Sequence, residues 1–268
     1  MSHDQLGEEL SPEEALAQKV AAYGFVGQSV AVAHFSFNDP NSMIAACDQA
    51  GIVAPLIALG NLPMVGSSIL GAVASIDENG PRLVANYAKE FPELMAQIEA
   101  FDPGVEISET SAPGWIFALV ALVLGMSESD VGQALTTSHK AVEIDTFLED
   151  DYGRYYLDSR RIIRSVMSYH IAGVDKGVLA RSVFVALGSF VSDALRRLLK
   201  EWNAKAILCI GDLFTYNQIL RDQTKGSLSW STVPVFFPSL EDPNHTLESS
   251  EELLQVRLRA DIRGVEAL

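Results

Sequence analysis

The sequence contains little cysteine. Cys47 and Cys209 are the only two among 268 residues, and their separation fits neither a CxxC motif nor the ligand spacing of a zinc site. A framework of disulfide bonds is therefore not expected, because proteins that depend on one carry several closely spaced cysteines. A reducing compartment suits such a chain, so we predict a cytoplasmic location.

Positive charge is also scarce. The chain has 19 Lys and Arg residues against 35 Asp and Glu residues, which gives a net charge of −16 and a pI near 4.6. Such an excess repels nucleic-acid phosphates and anionic lipid headgroups. The charge argues against a nucleic-acid or membrane-surface role, and it leaves basic proteins as compatible partners.

No long hydrophobic run is present. The most apolar stretch covers 112–126 and includes a proline and two glycines. It is shorter than the roughly 20 residues that a helix needs to cross about 30 Å of hydrocarbon, so it predicts a buried helix rather than a membrane span. The acidic amino terminus lacks the basic start and apolar run of a secretion signal.

Apolar periodicity and turn residues predict an α/β chain rich in helix, with a small, mostly parallel sheet. Ser11, Pro12 and Glu14 form a capping box that starts the first helix. Strands are predicted at 28–37, 204–210 and 232–237. Residues 52–59 are predicted to form a strand or a buried apolar segment, and Pro55 favours an edge position. Helices are predicted at 42–50, after a loop within 60–80, and at 81–90, 92–101, 112–125, 128–141, 158–171, 176–202, 213–222 and 248–263. An acidic turn is predicted at 149–153.

Three stretches of the sequence carry a resemblance to a known family: TSAPGWIFALVALVLG at 110–125, GVDKGVLARSVFVALGSFVSDAL at 173–195 and AILCIGDLFTYNQIL at 206–220. In the same order they resemble a TSS-x-G-RLFDAVAALLG helix, a G-V-x-x-x-x-IA-x-RFH-x-ALA-x-AL helix and a strand and loop, V-A-L-S-GGVFQN-x-LL. These motifs belong to the carbamoyltransferase region of the HypF family of hydrogenase-maturation proteins. The resemblance covers about 105–225. It implies a partial actin/sugar-kinase-like fold for 105–268, with 1–104 an α/β segment of no recognised relationship, the two forming one compact unit.

The resemblance implies a nucleotide site, and this chain departs from the family pattern there. Gly211 keeps the first glycine of the family's Gly-Gly turn, whereas Asp212 replaces the second and places a carboxylate where a phosphate would lie. Asn217 is displaced by one position relative to the family's asparagine. Asp242 stands where a late Asp-Gly-Gly motif is expected.

Other patterns that carry chemistry are weak in this sequence. The five histidines include no pair at helical spacing, so no metal site is predicted. Cys209 is predicted to be an inert core residue, and the cluster Arg160, Arg161 and Arg164 a solvated helix face. His170 is predicted to interact with the negative end of its helix. The regions 60–80 and 105–126, rich in small and apolar residues, are candidate contact surfaces.

Two hypotheses of function follow. The first is a catalytically degenerate carbamoyltransferase-like accessory or scaffold protein for nickel–iron hydrogenase maturation or assembly. It has no catalytic, nucleotide or metal residues and no cofactor, and its partner is a maturation factor or a hydrogenase subunit. Self-association is compatible with it. The alternative is an active carbamoyl or acyl transferase that uses ATP or a carbamoyl-adenylate with a divalent metal. It assigns catalysis to Asp212, Asn217 and Asp242, and nucleotide binding to Gly211, Asp212 and Asn217.

A third hypothesis is an α/β protein unrelated to that family. A structure without a strand–turn–helix unit at 204–222 beside a parallel sheet would support this third interpretation.

Overall fold

A computed structural model describes residues 10–60, 62, 65–102, 104, 112–127, 140–151, 154–239, 241 and 247–249. The helices predicted at 128–141 and 248–263 lie largely outside these residues. The helices of the described part are α1 (Pro12–Ala22), α2 (Gly66–Ala74), α3 (Gly80–Glu90), α4 (Pro92–Glu99), α5 (Pro113–Leu124), α6 (Ser159–Ile171), α7 (Lys176–Trp202), α8 (Asp212–Tyr216) and α9 (Gln218–Ser227).

One mixed sheet organises the described chain. Its strands are β1 (Val30–His34), β2 (Met43–Cys47), β3 (Val53–Leu59), β4 (Leu148–Asp151), β5 (Arg154–Leu157), β6 (Ala206–Ile210), β7 (Val235–Pro238) and β8 (Leu247–Ser249). The spatial order is β4-β5-β3-β2-β1-β6-β7-β8. Pairing is parallel between β1 and β6, β3 and β5, and β6 and β7, and antiparallel between the other neighbours.

The two faces of the sheet bury different sets of side chains. On one face, Leu16 and Val20 of α1 pack over Val30, Val32 and other residues of β1, β2 and β6. The opposite face carries the larger core, which the helices α2 to α9 share. Alternate residues of β1 belong to the two clusters, as strand geometry requires.

The long helix α7 lies in the larger core. It is long and apolar enough to cross a membrane by length and composition, and 72% of its most apolar window is buried inside the protein. This burial is what a core helix requires. The helix was predicted at 176–202, which are the bounds observed.

The helix-rich α/β class is confirmed, but the expectation of a small, mostly parallel sheet is wrong. Among the described residues the sheet has eight strands, and four of its pairs are antiparallel against three parallel ones. The strand β2 was not predicted as a strand. The segment 42–50, predicted as a helix, contains β2, whose five residues are all buried. Pairing on both sides overrides the helix propensity of its alanines.

Further corrections concern the ends of strands and helices. The acidic segment predicted as a turn at 149–153 lies mainly in the hairpin of β4 and β5. Residues 248–249 belong to β8 rather than to a helix. The helix predicted at 213–222 is two helices that meet at Asn217, which has extended backbone angles. Pro55 was predicted to favour an edge strand. In the structure β3 pairs with β2 on one side, where Pro55 lies opposite Ala45. On the other side, among the described strands, β3 pairs with β5 only at Ile57–Leu59.

Candidate functional site

The candidate site lies at the carboxyl ends of β1 and β6. These strands are parallel neighbours, and the chain leaves them in opposite directions, from β1 to β2 and from β6 through α8 and α9 to β7. Such a divergence opens a crevice where open α/β sheets bind ligands. A cavity of about 340 Å³ occupies this place, lined by Lys19, Ala22, Tyr23, His34, Ser36, Ile210, Gly211, Asp212, Thr215 and Tyr216.

Gly211 is required by the packing of the two strand ends. Its φ of 105° lies in the region that side chains rarely adopt, and a Cβ atom there would lie 2.2 Å from the carbonyl oxygen of Phe35. The same oxygen accepts a hydrogen bond from the backbone N–H of Leu213 at 3.2 Å. The missing side chain therefore lets the loop after β6 approach the loop after β1.

The carboxylate of Asp212 also serves this closure. Its Oδ1 accepts a hydrogen bond from the backbone N–H of Phe37 at 2.6 Å. The N–H of Asp212 itself donates to Oγ of Ser36 at 3.4 Å. The amides at the start of α8 thus already have acceptors within the protein, and the loops at 35–37 and 211–213 are joined by three hydrogen bonds.

A basic group lies on the other side of the cavity. Nζ of Lys19 is 2.8 Å from Nε2 of His34, and Nδ1 of His34 is 3.9 Å from Oδ2 of Asp39. Burial, followed by the positive charge of Lys19, lowers the pKa of His34 to about 4, although Asp39 opposes the shift. His34 is therefore neutral at pH 7, and its Nε2 accepts the hydrogen bond from the Lys19 ammonium group.

Of the four residues in the transferase hypothesis, two line this cavity. Gly211 and Asp212 do so. Asn217 is buried, and its Oδ1 accepts a hydrogen bond from the N–H of Leu220 at 2.9 Å, which caps α9. Asp242 lies outside the described residues. The structure therefore does not bring Asn217 to the cavity, because the break between α8 and α9 assigns it to a helix start.

Lys19 and His34 were not predicted from the sequence as site residues. The sequence signal at His34 is its position directly after the apolar run Val30–Ala33 of the predicted strand. Lys19 belongs to α1, which reaches the cavity by packing across the sheet. No local pattern indicates that contact.

The described residues contain no group of three or more His, Cys, Asp or Glu side chains that could hold a metal ion. At the turn, Asp212 presents a carboxylate, and the amides of Asp212 and Leu213 donate to oxygen atoms of the protein. A phosphate would need those amides free.

The arginine cluster of α6 is ion-paired rather than simply solvated. Arg160 pairs with Asp158 at 2.7 Å and also with Glu149, and Arg164 pairs with Asp77 at 2.7 Å. Arg161 pairs with Asp145 and lies 4.2 Å from the centre of the Phe147 ring. The acidic segment near β4 thus neutralises most of this cluster.

His170 does not act as a cation at the end of its helix. It is buried, its ring stacks on Phe91 at 4.2 Å between centroids, and its Nδ1 lies 3.1 Å from the hydroxyl group of Tyr87. Burial is the first cause that lowers its pKa, with Lys176 second. The Tyr87 hydroxyl donates to the carbonyl of Val123, so His170 donates through Nδ1–H to the Tyr87 oxygen.

Two further sequence predictions can be compared with the structure. Cys209 is fully buried in β6, and burial raises the pKa of its thiol, which confirms an inert core residue. The predicted contact surface at 105–126 is wrong where it is described, because α5 is mostly buried. Residues 105–111 of that surface lie outside the described part.

Comparisons with known proteins show that this fold is similar to that of HypF. No family model matches the chain. A crystal structure of full-length HypF in the phosphate- and nucleotide-bound form superposes with a TM-score of 0.56 at 17% identity, covering 82% of this chain and 38% of that one. HypF of T. kodakarensis gives 0.55 at 12% identity, covering 81% and 32%. The likeness to HypF is thus confirmed as a likeness of fold.

The sequence comparison points to a related protein. Protein HydE of Wolinella succinogenes is 28% identical over 170 residues, which cover 59% of this chain and 31% of that protein. The chain therefore spans about a third of the length of these relatives. A structural overlap of 82% exceeds what residues 105–268 alone can supply, so the likeness to HypF extends into 1–104, where the sequence alone gave no convincing match.

The hypothesis of an unrelated α/β protein can now be compared with the fold. The strand–turn–helix unit at 204–222 is present, and its strand β6 lies parallel to β1. Together with the likeness to HypF, this unit argues against an unrelated fold.

Proposed function

We propose that this protein is a carbamoyltransferase-like accessory or scaffold protein in the maturation or assembly of nickel–iron hydrogenases, acting in the cytoplasm without its own transfer reaction. The likeness of fold to HypF and the similarity to HydE support the pathway. Its partner on this proposal is a hydrogenase maturation factor or a hydrogenase subunit.

One observation supports the part of the proposal that denies this protein a transfer reaction of its own. The Gly211–Asp212 turn is bound to the chain's own loop at 35–37, through the Asp212 carboxylate on Phe37 N–H and the Leu213 N–H on the Phe35 carbonyl. Because the backbone amides of this turn and its glycine make contacts within the protein, the turn can keep the shape of the fold without offering free amides to a phosphate. Function is assigned to such a fold from its site, and this site favours a binding role.

A complementation experiment tests the proposal. Deleting the gene is expected to lower nickel–iron hydrogenase activity in the host. Expressing Asp212→Asn, which keeps an acceptor oxygen for Phe37 N–H, is expected to restore that activity to the wild-type level. Immunoblotting confirms equal protein amounts. Unchanged hydrogenase activity after deletion refutes the pathway, and failure of an equally abundant Asp212→Asn protein refutes the accessory role.

A direct binding measurement separates the two main hypotheses. Calorimetry with ATP and with carbamoyl phosphate, each at millimolar concentration with Mg²⁺, is expected to show no binding. The alternative, an active carbamoyl or acyl transferase, is favoured by the open cavity of about 340 Å³ beside Lys19 and Thr215. Binding together with ATP hydrolysis that Asp212→Asn abolishes would establish that alternative.

A further inference from the structure

The sheet has an incomplete edge beside β3. Among the described strands, β5 pairs only with Ile57, Ala58 and Leu59, so the outer edge of Val53–Leu56 has no paired strand there. Ile52, just before this edge, is 66% exposed, and Tyr155 at the start of the paired segment is 43% exposed. Within the part of the chain that the structure describes, no strand lies beside Val53–Leu56 on the side that β5 occupies at Ile57–Leu59.

Two clefts open at this edge from opposite faces of the sheet. One, of about 400 Å³, has Phe190, Ala194 and Leu198 of α7 in its lining. The other, of about 200 Å³, is lined by Pro12, Pro40 and Met43 on the α1 side. Both are also lined by Leu56, Ile57 and Tyr155, so they meet at the incomplete edge.

This arrangement matches the geometry of an extended peptide. Successive side chains of a strand point to opposite faces, so a segment running beside Val53–Leu56 would place alternate side chains in the two clefts. Pro55 takes one N–H out of the edge, which leaves fewer backbone hydrogen bonds for the guest. The apolar clefts are therefore expected to supply most of the affinity.

The charges around the clefts favour a basic guest. Glu13 lines the smaller cleft, and Glu201 and Arg197 line the larger one together with Asp193, which is ion-paired with Arg196 at 3.0 Å. The whole chain carries a net charge of −16, so a second copy would be repelled while a segment flanked by lysine or arginine would be attracted.

We propose that the incomplete edge at Val53–Leu56, with its two clefts, binds an extended, basic-flanked apolar segment of a partner protein. The inference rests on the proposed accessory role, which requires a protein partner. It specifies that the partner's contact segment is extended, is flanked by basic residues and binds beside β3.

Fluorescence anisotropy with a labelled peptide tests this inference. The probe carries lysine pairs on both sides of four alternating valine and leucine residues. It is expected to bind the wild-type protein, and Tyr155→Ala is expected to weaken binding about tenfold, as truncation of a central aromatic contact does. The matched control is Tyr216→Ala, an exposed tyrosine at the other cavity, which is expected to change affinity less than twofold. Glu201→Lys is expected to weaken binding, and Glu90→Lys on α3 is not.

Three outcomes would overturn the inference. These are absence of binding at 100 μM peptide, equal losses in Tyr155→Ala and Tyr216→Ala, and a dimer of the protein that Tyr155→Ala dissociates. Replacing the lysines by glutamate or the two central residues by proline must also abolish binding. Calorimetry with ATP tests the proposed function separately, so a failure of either can be told from a failure of the other.

Discussion

Replacing Gly211 by alanine tests whether this glycine serves the protein or a ligand. The new Cβ would lie 2.2 Å from the Phe35 carbonyl oxygen, which is backbone and has little freedom to move. The φ of 105° adds strain of about 1–2 kcal/mol for a residue with a side chain. Together with the displaced strand end, we expect Gly211→Ala to lower the free energy of unfolding by about 3–5 kcal/mol.

Urea denaturation followed by circular dichroism measures this loss. The matched control is Gly226→Ala in α9, where a Cβ would meet nothing within 4 Å. Alanine there is expected to raise stability by about 0.5–1 kcal/mol, because glycine is the poorer helix former. Gly188→Ala in α7 is also expected to destabilise the protein, because its Cβ would lie 2.9 Å from the Cβ of Gln223 and 3.0 Å from the Leu220 carbonyl oxygen. A Gly211→Ala protein within 1 kcal/mol of wild type would refute the account of this turn.

Three further predictions concern buried polar contacts. Asp212→Ala removes the acceptor of the Phe37 N–H and is expected to cost about 1–3 kcal/mol in urea denaturation; a cost below 0.5 kcal/mol would contradict it. The pKa of His34 is about 4 in the folded protein against the ordinary value of 6.5, so the unfolded chain binds the proton more readily. The contribution of neutral His34 to the free energy of unfolding is therefore complete above pH 6.5 and is lost as the pH falls toward 4. His34→Gln should therefore reduce the loss of stability over that range, by up to about 3 kcal/mol, and an unchanged pH profile would count against the neutral histidine. Tyr87→Phe removes the hydroxyl between Val123 and His170 and is expected to cost about 1–2 kcal/mol in thermal or urea unfolding, whereas a neutral effect would show that no buried partner is lost.

Local patterns were sufficient for most helices and for the strands β1, β3, β6 and β7. The capping box at Ser11 and Glu14 forms as predicted, and α7 has the predicted bounds. Both depend on contacts between residues close in sequence, which periodicity and caps describe directly. The strand β2 failed this approach because its buried run Met43–Cys47 reads equally well as a short helix. Pairing with distant β1 and with β3 decides its structure.

The candidate site was less predictable because long-range contacts determine what its residues do. The family resemblance implied that a nucleotide approaches Gly211, whereas in the structure the Phe35 carbonyl, far away along the chain, lies against this glycine. Asn217 looked like a ligand residue from the family pattern and caps α9 instead. Lys19 reaches the cavity only because α1 packs across the face of the sheet.

The hydrogen bonds of the Gly211–Asp212 turn determine how much free energy an anion must supply to bind there. A phosphate would have to displace the Leu213 and Asp212 amides from their acceptors and release the Asp212 carboxylate from Phe37 N–H. Two ordinary hydrogen bonds and one to a charged group contribute about 4 kcal/mol together, which is roughly a thousandfold in affinity. An anion that binds this turn at micromolar concentration must therefore recover that free energy from new contacts, and Lys19 is the described cation lining the cavity that could supply one. A Lys19→Met protein that still bound such an anion with unchanged affinity would show that the turn opens at far lower cost than these contacts imply.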